Sequence, residues 1–573
     1  MTVASGAMAE AITAWTGLLG PERVLSGDAV RQRFGPGTAP TTPAVPVVLL
    51  PTTEAEVQAI VLTARHHRTP LYPVSTGHNW GYGDASPPVD GAAVVDLSGL
   101  NRIVEVDAEL GLVTLEPGVT QSQLWQYLAD HGIALLVPLT GAGGSCSILG
   151  NALDRGFGQT PTQDHFLAVT TLRAALPDGR LYESPLAALG APTAAKVHKW
   201  GLGPYTDGLF SQGHFGIVTQ MTIALEPKPA EATQVTFQVT HDHDLTAALT
   251  GLQQVVRQMP TALGRILLSS DVHYLARNKP YPSADVPAGG TLSPAQIRQM
   301  MGKKAHIRWF GFTMLYGEPG LLAAVVPIMR RELKGRVTPV RAFSWSLVRL
   351  WQRLLTYLPA IGPVRAELAA CRAFEVTAFE PFDRNLRLAY WRANVPVPEG
   401  PLDPGRDGCG VLWCAPVVPF RPAAAAASSA EAEAICRAHG IEPQMRLVLV
   451  SSRQIDLLLP VVFDKRDAAS TATAQACYKA LFDAGRQHGY LPYRMNSQHM
   501  DHVIDPEAPF WQLLADFKHS IDPDDLLSPG RYGLTRRTGP GRGVAATWSG
   551  GGPTHDTGNG ARPPPGRIRG VAA

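Results

Sequence analysis

Two glycine-rich stretches carry side chains that can do chemistry. In PVSTGHNWGYGDASP, residues 73–87, Gly77, Gly81 and Gly83 alternate with His78, Trp80 and Tyr82. Glycines let backbone N–H groups turn inward and approach an anion closely, so such a loop either cradles a phosphate or simply turns a corner. His78 adds an imidazole, a nucleophile when neutral. Tyr82 adds a phenolic hydroxyl. The second stretch, LTGAGGSCSILGN at 139–151, carries Gly144, Ser147, Gly150 and Asn151.

The surrounding elements place these loops at the ends of strands and helices. VPVVLL (45–50) reads as a buried strand. PTTEAEVQAIVLTARHH follows as a helix, with Thr53 and Glu56 at capping-box spacing and Val57, Ile60, Val61 and Ala64 on one face. RTPLYPV is a second strand that runs directly into the first loop. A β-α-β unit that delivers a glycine loop is a common place for a cofactor phosphate. The loop lacks the GxGxxG fingerprint and a long helix after it, which argues against a Rossmann turn; Walker A and HExxH sequences are also absent. AAVVDL, NRIVEV and LVTLEPG read as a meander of three short strands separated by turn residues. TQSQLWQYLADHG is a helix, with Leu124, Tyr127 and Leu128 on one face, that leads into the second loop. Strands return in LAVTTLRAAL and DGRLYES, joined by a turn at Pro177, Asp178 and Gly179.

Composition narrows the class. The chain has 573 residues, too many for one ordinary core, so two domains plus appendages are expected. Hydrophobic residues make up 45%, the share of a globular protein, and a net charge of +2 gives no general attraction to nucleic acid or acidic membranes. Six cysteines without a CxxC pair read as reduced thiols, and no metal site is expected. The N-terminal MTVASGAMAEAITAWTGLLG lacks the pattern of a signal peptide, and no run of about 18 apolar residues reads as a membrane span. A cytoplasmic location is the expectation. The final segment, RRTGPGRGVAATWSGGGPTHDTGNGARPPPGRIRGVAA, is too poor in aliphatic residues to fold and is expected to be a disordered tail.

Four motifs in order carry a resemblance. GHNWGYG and GGSCSILGNALDRGFGQTP, then KWGLGPYTDGLFSQGHFGIVTQMTIAL (199–225) and IDPDDLLSPGRYG (521–533), resemble the vanillyl-alcohol oxidase and p-cresol methylhydroxylase flavoprotein family, over about residues 40–535. The resemblance implies an α+β fold: a two-part PCMH-type FAD-binding domain with an inserted α/β cap domain for substrate. The expected boundaries are 1–225 for the FAD-binding domain and 226–490 for the cap. Residues 491–535 would return to the FAD domain and active site, and 536–573 would form the tail. It further implies FAD contacts from Gly77, His78, Asn79, Gly81 and Gly83, from Gly144, Ser147, Gly150 and Asn151, and from Ile217 and Val218.

Members of the wider superfamily attach FAD through a histidine in the context that His78 occupies. The alkylphenol branch uses a His or Tyr ahead of a hydrophobic-Pro stretch, which here is GCGVLWCAP, and the position falls on Val411. Attachment at His78 is therefore the expectation. That branch holds its phenol with a Tyr–Tyr–Arg cluster, matched by Tyr82, Tyr493 and Arg494. Vanillyl-alcohol oxidases place an aspartate just before the second loop; here the position lies within Leu139–Ala142, and no carboxylate occurs between Asp130 and Asp154. By position Glu399, with Asp407 behind it, is the candidate base. Cys146 lies near the position that gates dioxygen.

The resemblance thus implies an FAD-dependent oxidoreductase that oxidises a 4-alkylphenol or 4-hydroxybenzylic alcohol by hydride transfer to flavin N5 through a quinone methide. The alternative is a flavin-dependent oxidase or dehydrogenase of a non-phenolic alcohol or biosynthetic intermediate. The expected partners are a small-molecule substrate and either dioxygen or another electron acceptor such as a cytochrome. A homo-oligomer is left open; nucleic acid and membrane are not expected.

Overall fold

A computed structural model describes residues 6–533, apart from residues 36, 159, 163, 260–263, 288, 360–361 and 394. The segment expected as a tail lies outside the described residues.

Three sheets organise the chain. The first orders its strands Val24–Ser26, Val47–Leu49, Ala93–Asp96 and Leu71–Val74, the last three parallel. The helix Glu54–His67 starts at Thr53, whose hydroxyl accepts from the Glu56 N–H at 3.2 Å. The Glu56 carboxylate reaches the Thr52 N–H at 2.7 Å, so the capping box is shifted by one residue. Val57, Ile60, Val61 and Ala64 face the sheet and pack with Trp15 of the helix Gly6–Leu19.

One expectation is corrected here. Ala93–Asp96 does not begin a meander; it inserts between Val47–Leu49 and Leu71–Val74 as a central parallel strand. All four of its residues are buried, and a strand covered on both faces reads as a continuous apolar run rather than an alternating one.

The second sheet is antiparallel, in the order Ile103–Asp107, Leu112–Leu115, Ile217–Ala224, Val169–Ala175 and Leu181–Glu183. The third has eight strands drawn from residues 231–464, with Ile266–Ser270, Arg446–Leu449, Gln454–Asp464 and Cys409–Cys414 side by side. Its strands alternate. Leu268, Leu447, Leu459 and Leu412 enter the core beneath the helices Leu245–Gln258 and Ala468–Gln487, while Leu267, Val448, Leu458 and Val411 face a cavity.

The end of the described chain returns to the first sheet. The Leu71 N–H donates to the Leu526 carbonyl, and the Ser528 N–H donates to the Leu71 carbonyl, each at 2.7 Å. Lys518, with 1% of its side chain exposed, locks the return by donating to the carbonyls of His214 and Leu527 and pairing with Asp522. Among the described residues no helix is long and apolar enough to cross a membrane.

Candidate active site

One continuous cavity is lined by both glycine loops, the upper face of the third sheet and the returning C-terminal segment. The first loop follows Leu71–Val74 and is fastened to the third sheet. The Gly81 N–H donates to Thr38 Oγ1 at 2.8 Å, and the Trp413 N–H donates to the Gly81 carbonyl at 3.2 Å. Gly81 has φ +76°, and a Cβ there would lie 2.5 Å from Trp413 Cδ1, so only glycine fits. Residues 77–80 line the cavity, and their backbone N–H groups donate to no acceptor among the described residues. Four consecutive free donors form a concave site suited to a pyrophosphate.

The second loop meets the first from the other side. The Ser147 N–H donates to Thr76 Oγ1 at 3.2 Å, and a Cβ on Gly150 would lie 2.3 Å from Ser75 Oγ. Ser147 caps the helix Ile148–Leu153: its hydroxyl accepts from the Gly150 N–H and donates to the Pro117 carbonyl. Asn151 Oδ1 accepts from His165 Nδ1 at 2.6 Å. These polar side chains hold the loops together, and the backbone is left to the ligand. Gly77, His78, Asn79, Ser147, Gly150, Asn151 and Val218 line the cavity; Gly81, Gly83, Gly144 and Ile217, expected beside them, do not.

His78 stacks on Trp80 with ring centroids 4.8 Å apart. Its Nδ1 lies 3.2 Å from the Ser145 carbonyl. A carbonyl can only accept, so Nδ1 carries the proton and the lone pair of the neutral ring is on Nε2. Val411 also lines the cavity, beside Gly81. Burial pushes the Cys146 thiol up to about 11, so this cavity-lining cysteine is not a thiolate.

Tyr82, Tyr493 and Arg494 converge. The two hydroxyls are 3.4 Å apart, and the Arg494 guanidinium carbon is 3.7 Å from the centre of the Tyr82 ring. Burial, then the neighbouring Tyr493, holds the Tyr82 hydroxyl well above the usual phenol range, so it stays a donor. Burial works against the Arg494 charge, but Tyr493, Tyr82 and Asp154 outweigh it and keep the guanidinium protonated.

Asp154 is the residue that sequence reasoning missed. Its Oδ2 accepts from Arg494 at 3.0 Å and from Asn79 Nδ2 at 2.9 Å, and its Oδ1 accepts from Arg531 at 3.0 Å. The three contributing segments are the first loop, the segment after the second loop and the C-terminal return. Asp154 and Arg531 stand within the quoted motifs DRGFGQTP and GRYG, but only the fold brings them together. Arg265 and Arg446 were also missed. Each is a charged residue at the head of an apolar strand, in GRILLSS and MRLVLVSS, and that break in pattern is the available signal.

Glu399 is not brought to the cavity. It is exposed in the loop VPVPEGP, where prolines withhold the backbone donors that could draw a carboxylate inward. Asp407 accepts from the Tyr390 hydroxyl at 2.7 Å and pairs with Arg406, also outside the cavity. Among the described residues the carboxylates that line the cavity are Asp84, whose Oδ2 accepts from Thr38 while its buried Oδ1 has no partner, and Asp154, which Arg494 and Arg531 engage. No cluster of metal-ligating side chains occurs among the described residues.

Comparison with known proteins fits this geometry. Residues 45–184 match the FAD binding domain family. The chain is 33% identical over 531 residues to 1'-carboxy-chondrochloren decarboxylase of Chondromyces crocatus, covering 91% of this chain and 96% of that protein. It is 25% identical to the 4-cresol dehydrogenase [hydroxylating] flavoprotein subunit of Pseudomonas putida, covering 84% and 87%. The 4-ethylphenol oxidase structure from Gulosibacter chungangensis superposes with a TM-score of 0.83 at 22% identity, covering 94% and 99%. With its cradle of free N–H groups and these relatives, the chain belongs to the FAD-dependent oxidoreductases of the vanillyl-alcohol oxidase and p-cresol methylhydroxylase family, with a PCMH-type FAD-binding domain.

Proposed function

We propose that the protein oxidises a para-substituted phenol, a 4-alkylphenol or 4-hydroxybenzylic alcohol. The observation that carries this reading is the convergence of the Tyr82 and Tyr493 hydroxyls, 3.4 Å apart, on the Arg494 guanidinium. A phenol oxygen set among two O–H donors and a fixed cation is favoured as its anion. The phenolate pushes electron density through the ring as hydride leaves the benzylic carbon of the para substituent. Bound FAD supplies the hydride acceptor, N5. The product is a quinone methide, which adds water or loses a proton. The clamp orients the ring, and the apolar side chains Val411, Val448 and Val462 line the same cavity. The names of two relatives, 4-cresol dehydrogenase and 4-ethylphenol oxidase, accord with this substrate class.

His78 is the attachment point for FAD on the same reading. Its Nε2 lone pair is available to bond the 8α-methyl group, and Val411 offers no nucleophile at the alternative position.

One observation favours a second reading. Among the described residues the cavity carboxylates are Asp84, held through one oxygen by Thr38, and Asp154, held by Arg494 and Arg531, and the residue expected as base is exposed. Oxidation of a larger, carboxylated intermediate with loss of carbon dioxide needs no base to remove a proton, and the relative from Chondromyces crocatus is named a decarboxylase.

The phenol reading is tested by comparing 4-ethylphenol with 4-ethylanisole under anaerobic conditions. The phenol is expected to reduce the flavin and the ether, which cannot ionise, is not. Equal reduction by both would refute a phenolate mechanism. Admission of air then separates dioxygen from another electron acceptor.

A further inference from the structure

The cavity has a second cationic end. Arg446 begins the strand Arg446–Leu449, lies opposite Ser269 in the register and donates from Nε to Ser269 Oγ at 3.0 Å. The residue is 9% exposed and lines the cavity. Among the described residues it pairs with no carboxylate; its charged neighbour is another cation, Arg277, which itself lies near Arg384. Burial and Arg277 together push Arg446 down to about 9. His273, on the helix Asp271–Asn278, lines the same cavity at 2% exposure. Its Nδ1 donates to the Gln444 carbonyl at 3.3 Å, and its buried Nε2 has no partner.

Buried cations without a counter-ion are costly, and a buried polar atom without a partner is costly again. Among the described residues the other arginines that line the cavity do not share this condition. Arg494 and Arg531 are bridged by Asp154, and Arg265 lies near Asp456.

We propose that Arg446 and His273 form a carboxylate-binding subsite for the far end of the substrate's side chain. The inference rests on the phenol occupying the Tyr82–Tyr493–Arg494 clamp. Arg265, which lies near Tyr493, and Ser269, the partner of Arg446, lie on one face of the same strand pair. Four residues separate them, ~13 Å at ~3.3 Å per residue. A 4-hydroxyphenyl ring with a side chain of several carbons ending in a carboxylate spans that length. The carboxylate accepts from the Arg446 guanidinium, and its charge opposes the burial and the Arg446 and Arg277 repulsion that hold His273 neutral, so Nε2 can take a proton and donate. An ion pair stabilises the carboxylate as an anion, so this group anchors the substrate and is retained.

Calorimetric titration of the oxidised holoprotein separates this subsite from the clamp. The probes are 5-phenylpentanoate and 5-phenylpentanamide, which lack a phenolic hydroxyl, and 4-ethylphenol, which lacks an anion. The acid is expected to bind about tenfold or more tighter than the amide. In Arg446→Gln the ratio falls to about one, and in Arg446→Lys a preference persists. Equal affinity of acid and amide for the wild-type protein, or a preference that survives Arg446→Gln, overturns the proposal, and the wild-type comparison decides even if the variant misfolds. Failure of 4-ethylphenol to bind, with the acid preference intact, would refute the phenol reading alone.

Discussion

The Arg494 guanidinium carbon lies 3.7 Å from the centre of the Tyr82 ring, joining the C-terminal return to the first glycine loop. On the proposed function, this contact makes the loop part of the substrate site as well as the cofactor site. Replacing Arg494 by Gln removes the fixed charge and is expected to slow flavin reduction by a 4-alkylphenol by about 10²–10³-fold. Tyr493→Phe removes one donor and should weaken phenol binding by roughly 10–100-fold. Stopped-flow reduction at several phenol concentrations separates the two effects.

Asp154 carries the opposite charge for two guanidiniums that are 12% and 16% exposed. Asp154→Ala leaves both largely buried and without their carboxylate, a change expected to cost about 3–5 kcal/mol. Asp154→Asn keeps an acceptor and should cost less. Urea denaturation of the holoproteins measures the difference, and equal stability of the three proteins would show that the bridge has no structural weight.

Some of this was legible in the sequence and some was not. The helix Glu54–His67 was readable because Thr53, Glu56 and the apolar face are local signals, all within a few turns. Tyr82, Tyr493 and Arg494 could be named through motif order, and the fold brings them together. The role of Asp154 depends on Arg494 and Arg531, hundreds of residues away, and no local pattern encodes that distance. Ala93–Asp96 was misplaced because its length and turn-rich flanks fit a meander as well as a parallel sheet. Glu399 was chosen by position alone, and its proline-rich loop stays in solvent.

Gly81 sits at φ +76° against Trp413 and Val411. Gly81→Ala must move that strand or the loop, so the variant is expected to purify with less flavin than the wild type. The ratio of flavin to protein absorbance reads this directly. A fully loaded variant would show that the loop can shift without losing the cradle.

Asp84 lies in the same loop and accepts from Thr38 Oγ1 at 2.7 Å; burial pushes its carboxyl up to about 6. Its folded-state value is above the unfolded one of 3.8, so the fold holds its proton more tightly. Stability from this group therefore falls as the pH rises from about 4 to 6, and the penalty is complete above 6. Asp84→Asn should be more stable than the wild type at pH 7, by on the order of 2–3 kcal/mol, with the gain vanishing near pH 4. Thermal melts of both holoproteins across that range check the sign.

His78 tests the mode of flavin attachment. Denaturing electrophoresis of the wild-type protein is expected to give a fluorescent band with the mass of FAD added to the chain. His78→Asn should release its flavin on denaturation. Release from the wild-type protein would remove the covalent bond from the account and leave the phosphate cradle intact.

The most direct test of the account is an anaerobic titration of the purified holoprotein with 4-ethylphenol, following the oxidised flavin band. The account predicts that the phenol bleaches the band, and that Tyr493→Phe slows the bleaching. If dithionite bleaches the flavin and 4-ethylphenol does not, the clamp formed by Tyr82, Tyr493 and Arg494 does not serve a phenol, and the central claim is contradicted.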